Sequence, residues 1–516
     1  MRIVAPVALA LSLLASPVHA QLLNARTEGG LVEGKAEGSI AAFLGIPYGA
    51  TTAGANRWRM PLPAPHWPGI QKATRFAPDC AQEPPYSPPG GSPWSAEYQP
   101  AGTEMSEDCL ALNIWTPARK AGDRLPVMVW IHGGGFAGGS GSVPIYDGAA
   151  LARRGILLVS INYRVGPLGF LAHPALTAEA GSSGNYGLAD QIAALGWVQR
   201  NIAAFGGDPA RVTVAGQSAG SASVHYLLAT PEAQGLFQRA IAQSGSGMGL
   251  TPPPLAQAEA LGEALAKAAG AATLVQLRAP PVEALFRAAH DPSLGPPGPR
   301  FRPVQDARIL PDPARQRQDI PVLTGLTADE ASTNAADWLT SDKQGLAALL
   351  ARRFDGKASA FAPFYAGETE AEIRASAQAL LRDRGIAGMR FWYESRPADA
   401  APVYAYLWSH AEPGPDHGRF GAFHSSEIPY VFGTLDKGDR SFAALDHALS
   451  DELGRYWVNF VRSGNPNGAG LVDWPRFDKG VLLHIGEATK AEPAMAADRL
   501  ELYRAFARQG GALGLF

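Results

Sequence analysis

Cysteine is nearly absent from this chain: Cys80 and Cys109 are the only two in 516 residues. That excludes a disulfide-dense scaffold and a cysteine-rich metal cluster. In an oxidising compartment an isolated pair most simply closes one structural bridge. A reactive thiol or a metal ligand is the poorer reading, because no second Cys or His stands at ligand spacing. An excess of charge of one sign is missing too. Lys and Arg number 44 against 47 Asp and Glu, a formal net charge of −3, so there is no basic footprint for a nucleic acid. Long apolar runs are missing except at the start. Met1-Arg2, the apolar stretch 3–15 and Ser16-Pro-Val-His-Ala20 have the charged, apolar and small-residue parts of a secretory signal peptide, with cleavage expected after Ala20. This run falls short of the ~20 residues of a membrane span, and no later stretch reaches that length, so no membrane anchor is expected. Removing residues 1–20 takes away Arg2 and moves the net charge from −3 to −4. The expectation is an exported protein, secreted or periplasmic. No repeat of 20–50 residues is visible either, which excludes a solenoid.

What the chain does have is apolar content. Hydrophobic residues make up 46% and charged residues 18%, enough for a sizeable core. Residues 21–516 read as a single domain with large surface insertions. Strand signals at 126–131, 156–161, 211–215, 320–324 and 403–408 alternate with helical ones at 188–201 and 219–228. Such alternation predicts an α/β fold with a mostly parallel central sheet flanked by helices. Proline-rich peaks at 84–93 and within 251–300, the latter bracketing a helical run 255–269, read as surface excursions over that sheet.

Gly216-Gln-Ser218-Ala-Gly220 carries the chemistry. A β-branched strand before it and a helix after it force Ser218 into a crowded turn, with its hydroxyl exposed at the helix N-terminus. The helix dipole there favours the negative charge of an acyl-transfer oxyanion. Strand 126–131 runs into His132-Gly-Gly-Gly-Phe136, whose glycines can turn several N–H groups towards one point. Gly133, Gly135 and Gly138 also fit a dinucleotide-binding G-x-G-x-x-G. No helix follows them, however, and no ribose-binding acid stands at the expected distance. His424 is the best base, in a small, polar stretch late in the chain. His410 and His417 precede it at seven-residue spacing, which places the three on no common face for a metal. Neither metal nor cofactor is expected. Thr327-Ala-Asp329-Glu330 offers two carboxylates as the orienting acid. The chain order serine, acid, histidine is the α/β-hydrolase order.

The ordered series Phe43–Tyr48, Arg57-Trp58, Ser106–Leu110, Asn113–Trp115, Gly133–Phe136, Asn162–Arg164, Asn185–Asp190, Phe205–Pro209, Gln243–Gly245, His424–Glu427 and Tyr456–Phe460 resembles the type-B carboxylesterases along nearly the whole mature length. That family also includes cholinesterases and the non-catalytic neuroligins. The resemblance implies a serine hydrolase that cleaves small-molecule carboxylic esters through an acyl-enzyme. Ser218 would be the nucleophile, His424 the base and then acid, and Glu330, the second member of the D-E pair, the orienting carboxylate. Gly134, Gly135 and Ala219 would supply the oxyanion hole, and Cys80–Cys109 matches the family's first disulfide. Phe136 and Trp94 become substrate-pocket candidates. Gln217 departs from the commoner Glu before the serine. The alternative is a neuroligin-like binding protein, although such members typically lack the serine present here.

Overall fold

The computed structural model describes residues 21–84, 92–102, 104–247, 251–296, 298, 300–333, 335–414 and 416–514; the expected signal peptide lies outside them. Eleven strands form one sheet. In chain order they are β1 (Lys35–Glu37), β2 (Ile40–Pro47), β3 (Ala111–Thr116), β4 (Leu125–Ile131), β5 (Leu157–Ile161), β6 (Gly207–Gln217), β7 (Arg239–Gln243), β8 (Val322–Thr327), β9 (Val403–Trp408), β10 (Val481–Ile485) and β11 (Lys490–Pro493). Across the sheet they run β11-β10-β9-β8-β7-β6-β4-β5-β3-β2-β1. From β10 to β5 every pairing is parallel. The pairings outside that block are antiparallel. The central strands are apolar on both faces because helices cover both sides; Val127, Val129, Val159, Val214, Ile241 and Leu323 are all fully buried.

The strands expected from sequence are present, with shifted ends. The apolar segment at 320–324 pairs over Val322–Thr327, and β6 extends beyond 211–215 in both directions. Strand β7, Arg-Ala-Ile-Ala-Gln, gave no clear local signal: two alanines carry little strand propensity, and pairing between β6 and β8 fixes it instead.

Register aligns the functional segments. Gly216 pairs with Ile131 and Gln217 with Gln243, so Ser218, His132 and Ser244 leave adjacent strands at the same edge. Thr327 pairs with Trp408 one strand further on. This is the carboxyl edge of the parallel strands, where loops of open α/β sheets place their ligands. Helix α1 (Tyr186–Asn201) packs nearby. A buried, bidentate ion pair from Arg164 after β5 to Asp190 on α1 ties it to the sheet, at 2.7 and 2.8 Å. The helical run near 255 spans Leu255–Ala268 and docks on the main core through Leu265.

Cys80 and Cys109 are bonded to one another and buried, at 2% and 1% exposure. Closing a loop of 29 residues' separation contributes roughly 3–4 kcal/mol in the chain-entropy model. Both cysteines of the folded protein should therefore resist alkylation, and reduction should lower the melting temperature while leaving the chemistry intact. Two alkylatable thiols in native protein would overturn this.

Candidate active site

The turn after β6 sets Ser218, the nucleophile expected from the sequence. Ser218 adopts φ 59°, ψ −123°, a conformation that costs an ordinary L-residue about 1–3 kcal/mol and persists only where its surroundings impose it. Here they do. A Cβ on Gly220 would lie 2.1 Å from the Ile131 carbonyl oxygen, and one on Gly216 would lie 2.5 Å from the Gly220 backbone. Only glycine at both positions lets β6, β4 and helix α2 (Ala219–Ala229) approach so closely. The Ser218 N–H donates to the Gln243 carbonyl at 3.0 Å, and its own carbonyl opens α2 by accepting from Ala222 N–H at 2.9 Å. Helix α2 is buried along all eleven residues, which fixes its axis. Ser218 itself is half-exposed at its head.

The glycine loop after β4 closes over this turn. A Cβ on Gly133 would lie 3.1 Å from Ser218 Cβ. Gly134, Gly135 and Phe136 have φ of 107°, 63° and 61° in succession. The Gly134 carbonyl accepts from the N–H groups of both Ala137 and Gly138, at 3.0 and 3.1 Å. Gly134 and Gly135 stay exposed, while the first N–H of α2, on Ala219, has no intrahelical partner by position. His132 anchors the loop. Its ring stacks on Tyr163, 4.3 Å between centroids, and its Nδ1 bonds the Gly133 carbonyl at 2.8 Å. Burial lowers this imidazole to about 4, so it is neutral.

Glu330 and His424 meet behind the turn. Nδ1 of His424 pairs with Glu330 Oε2 in a short contact, both side chains being buried. The other carboxylate oxygen, Oε1, accepts from the Ser244 hydroxyl at 2.5 Å and from Thr327 N–H at 2.8 Å. The carboxylate is thus fixed from three sides. Ser244 takes φ 55° to reach it. With Glu330 accepting at Nδ1, the tautomer that carries a proton there leaves Nε2 as the basic nitrogen. Burial lowers the affinity of His424 for a proton, but the charge and hydrogen bond of Glu330 outweigh it and hold the imidazole above its ordinary 6.5. Glu427, fully buried three residues on, is pushed up to about 7 by burial. Its Oε1 accepts from Gln243 at 3.0 Å and Tyr406 at 3.2 Å.

Asp329 points elsewhere. Its Oδ1 meets Arg382 at 3.0 Å and its Oδ2 accepts from Ala422 N–H at 2.8 Å, bracing the loop that carries His424. His410 pairs with Asp446 at 2.7 Å, and exposed His417 contacts the Gly414 carbonyl. Phe136 is buried against Phe170 and Tyr226, with centroids 5.3 and 6.4 Å away. Trp94 donates its indole N–H to the backbone carbonyl of His424 at 3.1 Å.

Three contributors escaped sequence reasoning. Ser244 and Thr327 hold Glu330. Gln217 has its amide nitrogen 3.1 Å from Nε2 and 3.5 Å from Nδ1 of His424, which places it over the ring rather than along one in-plane lone pair. Position next to Ser218 was the signal for Gln217, and the Gln243-Ser-Gly245 match was the signal for Ser244. Nothing local flagged Thr327, because it acts through its backbone.

The sequence model of the carboxylesterase family matches residues 21–503. This chain belongs to that family. It is 38% identical to the fumonisin B1 esterase of Sphingopyxis macrogoltabida over 92% of this chain and 88% of that one. Identity is 36% with the para-nitrobenzyl esterase of Bacillus subtilis strain 168, over 87% and 92%. It is 33% with the cholinesterase of Mus musculus, over 91% and 83%. Among solved structures, a Geobacillus stearothermophilus carboxylesterase superposes with a TM-score of 0.79 at 33% identity, covering 93% of this chain and all of that one. Membership makes the chain a carboxylic ester hydrolase with the α/β-hydrolase fold. Among the described residues no helix is long and apolar enough to cross a membrane.

Proposed function

We propose that this carboxylesterase-family enzyme is exported and cleaves small-molecule carboxylic esters through an acyl-enzyme on Ser218. The observation that carries this is the buried Glu330–His424 pair, fixed by Ser244 and Thr327 beside a serine held in strained backbone geometry. Ser218 Oγ attacks the ester carbonyl carbon while its proton passes to Nε2 of His424. The carbonyl oxygen becomes an oxyanion facing the N–H groups of Gly134, Gly135 and Ala219, each such donor worth roughly 3 kcal/mol of barrier. As the intermediate collapses, the C–O bond to the alcohol breaks and His424 returns the proton to the leaving oxygen. Water then attacks the acyl-enzyme by the same route, releasing the acid and free Ser218. Glu330 stabilises the imidazolium at both stages without bonding to substrate. Trp94, half-buried over the backbone of His424, forms an apolar wall of the approach, whereas Phe136 is buried against Phe170 and Tyr226 and supports the glycine loop from within.

A pH profile with p-nitrophenyl esters of graded acyl length tests this. A proton on Nε2 removes the base, so kcat/KM should fall as pH drops through the pKa of His424. That pKa is raised, so the limb should lie above 6.5, with the loss fitting one proton. A flat rate between pH 5 and 8, with chemistry limiting, would sink the mechanism. A wild type inert to the whole panel would favour a neuroligin-like binding role.

A further inference from the structure

We propose that Arg440 is a positioning residue for the active site, clasping the 93–97 segment onto the loop that carries His424 and thereby fixing both the base and the indole of Trp94. The inference rests on the catalytic reading of His424.

One guanidinium joins two stretches far apart in sequence, 93–98 and 412–423. Towards the disulfide-closed loop, Nε of Arg440 donates to Glu97 Oε1 at 2.9 Å, and Nη2 donates to Ser95 Oγ at 2.8 Å and to the Pro93 carbonyl. Towards the loop after β9, Nη1 donates to the Pro413 carbonyl at 3.0 Å, and Nε lies 3.3 Å from Glu412. Its planar face rests on the rings of Tyr98 and Phe423, 5.8 Å from each centroid. Those two rings also touch one another, 5.7 Å apart. Phe423 is the residue before His424, and Trp94 lies between two residues that Arg440 grips. The clasp therefore ends on both sides of the bond from the Trp94 indole to the His424 carbonyl.

Only arginine satisfies this arrangement. Five donors in a fixed plane reach two carbonyls, a hydroxyl and a carboxylate at once, and the same plane stacks on aromatic faces. A lysine supplies the charge without the fork. The Glu97 and Glu412 side chains are both buried, and Arg440 is the cation they share, so a substitution that keeps the charge disturbs the region least. That makes Arg440→Lys the informative substitution. Trp94→Phe complements it, because it keeps an aromatic side chain while removing the indole N–H that bonds the His424 carbonyl.

The test uses the full mature chain. Arg440→Lys, Trp94→Phe and the double variant are assayed with p-nitrophenyl acetate well below their melting temperatures, alongside the rate at which an organophosphate phosphonylates Ser218. Misplacing a catalytic group by about 1 Å can cost up to ~100-fold, and each single change should lower kcat about ten-fold, with KM changed less and phosphonylation slowed in parallel. Both changes act through one contact, so the double variant should be little worse than the more damaging single one. A lower melting temperature with unchanged kcat and phosphonylation, or effects that multiply in the double variant, would overturn the clasp. If Arg440→Lys fails to fold, a normal Trp94→Phe is enough to overturn it. Should Ser218→Ala stay active, the catalytic reading itself fails. An inactive Ser218→Ala beside a normal Arg440→Lys defeats the clasp alone.

Discussion

Ser218→Ala should reduce ester turnover by roughly a million-fold, because on the proposed mechanism it removes the atom that forms the acyl-enzyme. Binding and the proposed oxyanion donors would stay in place, so KM should change little. The variant should also fold normally. Ser218 is half-exposed, and the positive φ at this position is imposed by Gly216, Gly220 and the Ile131 carbonyl rather than by the side chain. An organophosphate should label wild type at one equivalent on Ser218 and leave Ser218→Ala unlabelled. Turnover in the variant within a hundred-fold of wild type, in protein freed of contaminating esterase, would remove Ser218 from the mechanism.

Glu330→Gln should cost about 10⁴-fold in kcat, and the reason lies in the hydrogen bonds around Oε1. Thr327 N–H and the Ser244 hydroxyl both donate there, so a glutamine would turn its carbonyl oxygen towards them. Its NH₂ group would then face Nδ1 of His424. A donor at that position favours the tautomer with the proton on Nε2, and that imidazole cannot accept the proton of Ser218. Two effects should accompany the loss. The acid limb should move to lower pH, since the carboxylate that holds His424 above its ordinary range is gone. Phosphonylation of Ser218 should slow but remain detectable. Asp329→Asn is the internal control. Its partners are Arg382 and the Ala422 N–H, and a partly exposed ion pair of this kind is worth about 1 kcal/mol or less, so activity should stay within about ten-fold. A near-normal Glu330→Gln beside a crippled Asp329→Asn would transfer the acid role to Asp329 and leave the assignment of Ser218 untouched.

Local features were legible in the sequence because they are local in cause. The strained turn at Ser218 follows from a β-branched strand, a helix and two glycines within ten residues. The glycine run at 133–135 and the central strands β4, β5 and β9 follow in the same way from residue type over a short window. Strand β7 did not, since neighbouring strands impose its conformation on a weak sequence. Residue types alone also left Asp329 and Glu330 equivalent, two adjacent carboxylates in one loop, and the resemblance chose between them. What turns one towards His424 and the other away is Arg382, more than fifty residues later, together with the register that sets Thr327 beside Trp408. Trp94 meets His424 across a sequence separation of 330 residues, and Arg440 joins the 93–97 segment to that region from 343 residues beyond Glu97. Neither contact has a local signature. Side-chain identity and short spacing decide which turns and strands can form, whereas which distant groups face one another depends on strand order, register and close packing, and only the folded chain fixes those.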